Sequence, residues 1–215
     1  MPHTLRTRAV LFDMDGTLVD STAVVETIWR DFADRFALDS AMVLGAVHGV
    51  RAEDSVRRFA PPGTDVAAVV AELDAYELEH TEGTVEIAGA VAFLAALPRE
   101  RVALVTSASP PLAAGRLAAA GVPSPDVVVA AADVTRGKPA PDGYLAAAAR
   151  LGVEPDDAVV FEDAEAGILA GLAAGMRVVV VGAHESGTTR GLPRIEHYGD
   201  ARVALDGDEL VLVLG

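Results

Sequence analysis

The 215-residue sequence has no cysteine, no asparagine and no glutamine, and 16 of its 17 basic residues are arginine, leaving Lys138 as the single lysine. Without cysteine there are no disulfides, thiolate metal sites or cysteine nucleophiles. Positive charge is scarce: 32 acidic residues against 17 basic ones give a formal charge of −15. That excludes a nucleic-acid backbone as partner, because such binding relies on clustered Lys and Arg releasing counterions. No apolar run approaches the roughly 20 residues that span a bilayer, and Met1-Pro2-His3-Thr4 has no signal-peptide apolar region. The expectation is a soluble, cytoplasmic protein with no membrane partner, acting as a monomer or weak dimer. Where arginine has replaced lysine almost everywhere, a lysine kept at 138 suggests a tight pocket that accepts a slim ammonium and refuses a broad guanidinium.

The stretch that is present and organises the rest is Leu11-Phe12-Asp13-Met14-Asp15-Gly16-Thr17-Leu18-Val19-Asp20-Ser21. A buried parallel strand reads as a continuous apolar run, so residues 7–12 form a first strand and Asp13 emerges at its carboxyl edge. That edge is where open α/β sheets bind ligands. Asp13 and Asp15 are two apart, which in extended backbone sends both carboxylates to the same side, where they call for a cation between them; Gly16 then permits a sharp turn.

Helical spacing follows over residues 21–36, 40–48, 53–60 and 65–82 with no strand between them, so a four-helix insert spans residues 20–84. It carries 13 acidic residues against 5 arginines, mostly solvated faces. From residue 86 helix and strand alternate, which predicts a parallel sheet wrapped by crossovers. Helices are expected at 86–97, 110–120, 141–150 and 163–174, and strands at 101–106, 126–130, 158–162 and 177–181. The tail from 184 is less regular, with two short segments at 201–205 and 210–214 that suit strands or helix edges. A length of 215 residues, half of them hydrophobic, suits one α/β domain with a modest insertion. Residues 1–19 and 85–215 are assigned to that core domain and 20–84 to a helical cap.

Polar residues gather at four strand ends or the loops that follow: Asp13 with Asp15, Thr106 with Ser107, Lys138, and Glu162 with Asp163. Each alone is explained by a helix cap, a helix start or a surface charge. Together, on one edge of a parallel sheet, they make a phosphoryl-transfer site. Phosphate monoesters hydrolyse so slowly that catalysis must supply up to ~20 orders of magnitude. A carboxylate nucleophile, a hard divalent cation and a lysine on the equatorial oxygens are the tools for that task. Mg²⁺ suits a site of one or two carboxylates, waters and a substrate phosphate.

Asp13-Met14-Asp15-Gly16-Thr17, Thr106-Ser107, Lys138-Pro139 and Glu162-Asp163 resemble, in order and spacing, the four motifs of the haloacid dehalogenase superfamily, and the insert resembles its helical cap. The segments His48-Gly49-Val50-Arg51-Ala52-Glu53-Asp54, Gly137-Lys138-Pro139 and Phe161-Glu162-Asp163-Ala164-Glu165-Ala166-Gly167 look most like its glycerol-phosphate and 2-deoxyglucose-6-phosphate phosphatases, with Glu165 departing from the proline usual there. The resemblance implies a Rossmann-like parallel sheet and hydrolysis of a small sugar or polyol phosphate monoester. In it Asp13 is the nucleophile, Asp15 the acid and base, and Lys138 and Thr106 hold the phosphoryl group. It also implies Mg²⁺ bound by the Asp13 side chain, the Asp15 backbone carbonyl and Asp163, with Glu162 in contact or one layer out. Ser107, His48 and Arg51 are the candidate substrate-binding residues. A dehalogenase does not need the second carboxylate Asp15, and a phosphonate hydrolase of this type needs a lysine in the insert, which has none. A β-phosphoglucomutase characteristically has a histidine where this chain has Val24 and Val25. A receiver-type phospho-accepting regulator has no such insert after its first strand.

Overall fold

The computed structural model describes residues 3–215. β1 (His3–Thr7) is followed, after a bend at Arg8, by β2 (Ala9–Phe12) and the short β3 (Val19–Asp20). Four helices come next, α1 (Thr22–Arg35), α2 (Ser40–Val47), α3 (Ala52–Phe59) and α4 (Val66–Glu79), and β4 (Val85–Glu86) returns the chain. Then α5 (Ala90–Ala95), β5 (Val102–Val105), α6 (Pro110–Ala119), β6 (Val127–Val129), α7 (Asp142–Leu151), β7 (Ala158–Glu162), α8 (Glu165–Ala173) and β8 (Arg177–Val181) alternate. β9 (Arg194–Ile195), β10 (Arg202–Asp206) and β11 (Glu209–Leu214) end it.

The predicted α/β class holds: six strands form a parallel sheet in the order β6-β5-β2-β7-β8-β9. Every residue of β2, β5 and β7 is buried, the reason they read as unbroken apolar runs. One apolar cluster covers each face of the sheet. The chain winds from β2 to one side through β5 and to the other through β7, so β2 is the switch point where such sheets open a crevice. Asp13 stands at its end.

The insert has its own core. Ile28, Trp29, Phe32 and Ala33 form one buried face of α1 against Val43, Val47, Val56, Val69 and Leu73. Burial of the larger of these side chains contributes roughly 1.5–3 kcal/mol each. Asp39 and Asp65 cap α2 and α4 by accepting backbone N–H groups of the first turn. The two connections to the sheet domain pair with one another, Val19 opposite Glu86 and Asp20 opposite Val85, as an antiparallel ribbon.

Three sequence expectations change. The first strand, predicted over 7–12, is 9–12, and residues 3–7 belong to a separate three-stranded antiparallel sheet of order β1-β11-β10. The helix predicted over 86–97 is confined to 90–95, because Glu86 pairs in the ribbon and its carboxylate accepts the Val91 N–H at 2.8 Å, capping a later start. The tail resolves into β9, on the edge of the main sheet, and the β10–β11 hairpin, whose Leu210, Leu212 and Leu214 alternate into the core. Among the described residues no helix is long and apolar enough to cross a membrane.

Candidate active site

Asp13 continues the β2 ladder, its N–H donating to the Phe161 carbonyl at 3.0 Å, and the residue is 3 % exposed. The neighbouring strands deliver Thr106 at the end of β5 and Glu162 and Asp163 at the end of β7. Lys138 reaches in from the loop between β6 and α7. Its ammonium, a compact head with three N–H donors, meets three acceptors: Asp13 Oδ1, Glu162 Oε1 at 2.7 Å and the Val105 carbonyl at 3.1 Å. Three donors on three acceptors in a buried pocket account for the one position where arginine has not replaced lysine.

Glu162 is fully buried and fully engaged. Oε1 accepts from Lys138 and from the Tyr144 hydroxyl at 2.8 Å, and Oε2 from the backbone N–H groups of Asp163 at 3.0 Å and Ala164 at 3.2 Å. Two close approaches make room for the acidic residues. A Cβ on Gly167 would lie 1.5 Å from Glu162 Oε1, and one on Gly16, at φ +80°, would lie 2.0 Å from Asp163 Oδ2.

Carboxylate oxygens of Asp13, Glu162 and Asp163 lie within 4.8 Å of one another. With Lys138 as the cation among them, burial and then the Glu162 charge push the Asp13 carboxyl up to about 8, and the same two causes raise Asp163 well above the carboxylate range. Burial opposes the charge on Lys138, but Asp13 and Glu162 hold its pKa above the ordinary lysine value. Excess buried negative charge on hard oxygen donors is what a small divalent cation relieves, so the donor set fits Mg²⁺.

Asp15 departs from expectation. Its carboxylate does not join that cluster; Oδ1 accepts from the Ser21 hydroxyl at 2.7 Å and Oδ2 from Arg116 Nη1 at 2.7 Å. The turn at 14–19, where Leu18 and Val19 N–H groups return to the Met14 carbonyl, replaces the extended backbone that would have kept both carboxylates on one side. The other arm of Arg116 pairs with Glu77 of α4. Neither Arg116 nor Glu77 was a sequence candidate. A lone charge in the small-residue helix PPLAAGRLAA was the one available signal.

Between this edge and the insert lies a cavity of about 300 Å³, lined by Asp13, Asp15 and Ser107 below and by Trp29, His48, Asp74 and Glu77 above. His48 is exposed on its rim. Arg51 also lines it, but its guanidinium is occupied: Nε and Nη2 bond Asp54 at 2.7 and 3.2 Å, and Nη1 reaches the Val134 and Thr135 carbonyls at 3.3 Å each. Ser107 likewise donates to the Gly49 carbonyl at 2.8 Å. Thr106 is buried, its hydroxyl accepting the Ala108 N–H at 3.1 Å. Glu165 is not a further charge at the acidic cluster. It ties down the 184–189 loop, accepting from Ser186, Thr188 and His184, contacts that lower its pKa to about 2.

Among known proteins, the chain matches over residues 7–175 the family described as haloacid dehalogenase-like hydrolase. It is 45 % identical to hexitol phosphatase A of Escherichia coli, across 83 % of this chain and 85 % of that protein. It is 37 % identical to glycerol-1-phosphate phosphohydrolase 2 of Saccharomyces cerevisiae, across 83 % and 76 %. The crystal structure of β-phosphoglucomutase from Clostridium difficile superposes with a TM-score of 0.77 at 21 % identity, covering 89 % of this chain and 91 % of that one, a likeness of fold.

Proposed function

The chain belongs to the haloacid dehalogenase-like hydrolase family, and from that membership we propose that it is a Mg²⁺-dependent phosphatase that hydrolyses a small sugar or polyol phosphate monoester through a phosphorylated Asp13. The observation that carries this is the division of labour between two carboxylates at one sheet edge: Asp13 buried on Lys138, and Asp15 held apart over the cavity by Ser21 and Arg116. In the first step an Asp13 oxygen bonds to phosphorus as the bond to the leaving oxygen breaks, and Asp15 gives that oxygen its proton. In the second, Asp15 takes a proton from water, the water oxygen bonds to phosphorus, and the Asp13–phosphorus bond breaks to release inorganic phosphate. Thr106 holds a phosphoryl oxygen through its hydroxyl hydrogen, and Lys138 supplies positive charge beside it, turning a donor from Asp13 to the phosphoryl group as Asp13 bonds to phosphorus. Asp13 and Asp163, with the Asp15 backbone carbonyl, would hold Mg²⁺, which supplies charge neutralisation to the phosphoryl group. Glu162, whose two oxygens already accept four hydrogen bonds, orients Lys138 and the 163–164 backbone instead.

A cavity of about 300 Å³ matches a leaving group of glycerol to hexitol size. Its Asp74 carboxylate accepts hydrogen bonds from hydroxyls, and its Trp29 and Val25 offer an apolar wall. The likeness to hexitol and glycerol-phosphate phosphatases supports the same class of substrate. A panel of polyol, hexose and aryl phosphates, assayed for released phosphate with Mg²⁺ and with chelator, tests the reading. Turnover should require the metal, favour polyol or sugar esters and vanish in Asp13→Asn, whose amide is not a competent nucleophile. Substantial turnover by purified Asp13→Asn ends the mechanism, and an isomerised hexose phosphate with little free phosphate points to a mutase.

A further inference from the structure

We propose that Arg116 is a positioning residue that holds Asp15 for proton transfer, and that it does so by bridging Asp15 to Glu77 of the insert. The proposal rests on the reading of Asp15 as acid and base given above. Arg116 projects from α6 and is 5 % exposed, and Glu77 projects from α4 and is 6 % exposed. One arm of the guanidinium is on Asp15 Oδ2 at 2.7 Å and the other is on the Glu77 carboxylate. α4 lies directly on α6 here: a Cβ on Gly115 would come within 3.1 Å of Leu78 Cδ2. The planar fork of arginine fixes the direction of both bonds at once, which a flexible ammonium does not. Ser21 secures the other oxygen of Asp15 at 2.7 Å, so the carboxylate is oriented from two sides.

An acid works only within hydrogen-bond reach of the oxygen it protonates, and a displacement of about 1 Å is worth on the order of 10² in rate. When α4 is seated, Arg116 is clamped between two carboxylates and Asp15 is fixed over the cavity. When α4 lifts, Glu77 leaves, the arginine loses its second anchor, and Asp15 is steered by Ser21 alone. Docking of the insert and readiness of the acid are thereby one event.

The test separates positioning from folding by the choice of leaving group. An alcohol such as glycerol must be protonated as it leaves, whereas p-nitrophenolate departs without a proton. Both esters then require Asp15 as base in the second step. Arg116→Met should therefore lose about 10²-fold in kcat/KM on glycerol phosphate. Its first turnover of p-nitrophenyl phosphate in a rapid-mixing experiment should change by about threefold or less, followed by a slow steady state, so that p-nitrophenolate appears as a burst. Glu77→Gln should show the same pattern at roughly a tenfold loss, and Arg116→Lys should recover part of the activity. Equal losses on the two esters with no burst would overturn the proposal and leave Arg116 a purely structural ion pair. Should Arg116→Met not fold, the near-isosteric Glu77→Gln decides by the same two readouts. Asp15→Asn run alongside distinguishes the premises: if it too shows equal losses and no burst, the acid–base reading falls, and the role of Arg116 with it.

Discussion

Chelating divalent metal should make the stability of this protein fall as pH rises through the neutral range, and the site dictates the sign. Asp13, 3 % exposed and close to Glu162 and Asp163, has its pKa raised from 3.8 to about 8 in the metal-free fold. A carboxyl whose pKa is higher folded than unfolded binds more protons in the native state between those two values. Its stabilisation is thus complete below about pH 4 and is lost as pH climbs toward 8. One extra native proton gives a slope of about 1.4 kcal/mol per pH unit, so about 3 kcal/mol is lost between roughly pH 5 and 7.5. The raised pKa of Asp163 acts in the same direction. Glu165, lowered to about 2, adds no slope in this window, because well above pH 4.5 it is ionised in both states and its contribution is constant. Urea denaturation in EDTA at half-unit pH steps, repeated with saturating Mg²⁺, reads the effect. The cation should steepen its benefit with pH and flatten the decline. A general fall from self-repulsion at a formal charge of −15 is the confounding effect. Asp13→Asn resolves it, because removing the buried charge should leave the metal-free variant more stable than wild type near pH 8. A wild-type curve in EDTA that is flat from pH 5.5 to 8.5, or an Asp13→Asn that is less stable at pH 8, would refute the reasoning.

Lys138→Arg keeps the charge but forces a planar head into a pocket built for three converging bonds; kcat should drop by about 10² or more while far-ultraviolet circular dichroism is unchanged, and near-normal kcat/KM would show that the lone lysine is an accident of composition. Gly167→Ala drives a methyl into Glu162 and should cost about 1–3 kcal/mol in urea unfolding, together with most activity, since Glu162 orients both Lys138 and the 163–164 backbone. Arg51→Ala should weaken polyol and aryl esters alike, because its donors are spent on Asp54 and on the Val134 and Thr135 carbonyls; loss confined to polyol esters would instead identify it as a hydroxyl reader.

The sheet was legible because buried parallel strands write themselves as runs such as AVLF, VALV and AVVFE, and the insert because Ile28, Trp29 and Phe32 recur at helical spacing. β1 was not legible as a separate strand. Its partner β11 lies some 200 residues away, with Leu5 opposite Leu212, and nothing local announces so distant a pairing. β3 and β4, two residues each, are too short for periodicity and exist only because they pair. In the site, Asp13, Thr106, Glu162 and Asp163 stand at strand ends, and Lys138 reaches Asp13 and Glu162 from the loop before α7. Asp15 faces the same cavity as Asp13, but the chain turns at Met14 and its carboxylate is taken up by Ser21 and Arg116, partners that a spacing of two does not announce. Arg51 and Ser107 looked like donors free for a ligand because their acceptors, at 134–135 and at Gly49, come from distant parts of the chain. Arg116 and Glu77 are recognisable only once α4 is seen on α6.

The contacts of Arg51, Ser107 and Glu77 share a placement. Each contact joins the insert to the sheet domain at a segment that also carries a site residue. Arg51 bonds the carbonyls of Val134 and Thr135, four and three residues ahead of Lys138. Gly49 receives Ser107, the neighbour of Thr106, and packs on Ala164, the neighbour of Asp163. Glu77 meets the arginine that holds Asp15. A single neutral hydrogen bond such as Ser107 to Gly49 contributes about 1 kcal/mol net. The Arg116–Glu77 pair is buried, so separating it leaves an uncompensated charge and costs more, about 3–5 kcal/mol. An insert held on by a continuous apolar interface would close more tightly and release product more slowly. This one keeps its apolar core to itself, around Trp29 and Phe32, and where it meets the sheet domain the polar contacts of Arg51, Gly49 and Glu77 stand beside only local packing, of Leu78 on Gly115 and of Gly49 on Ala164.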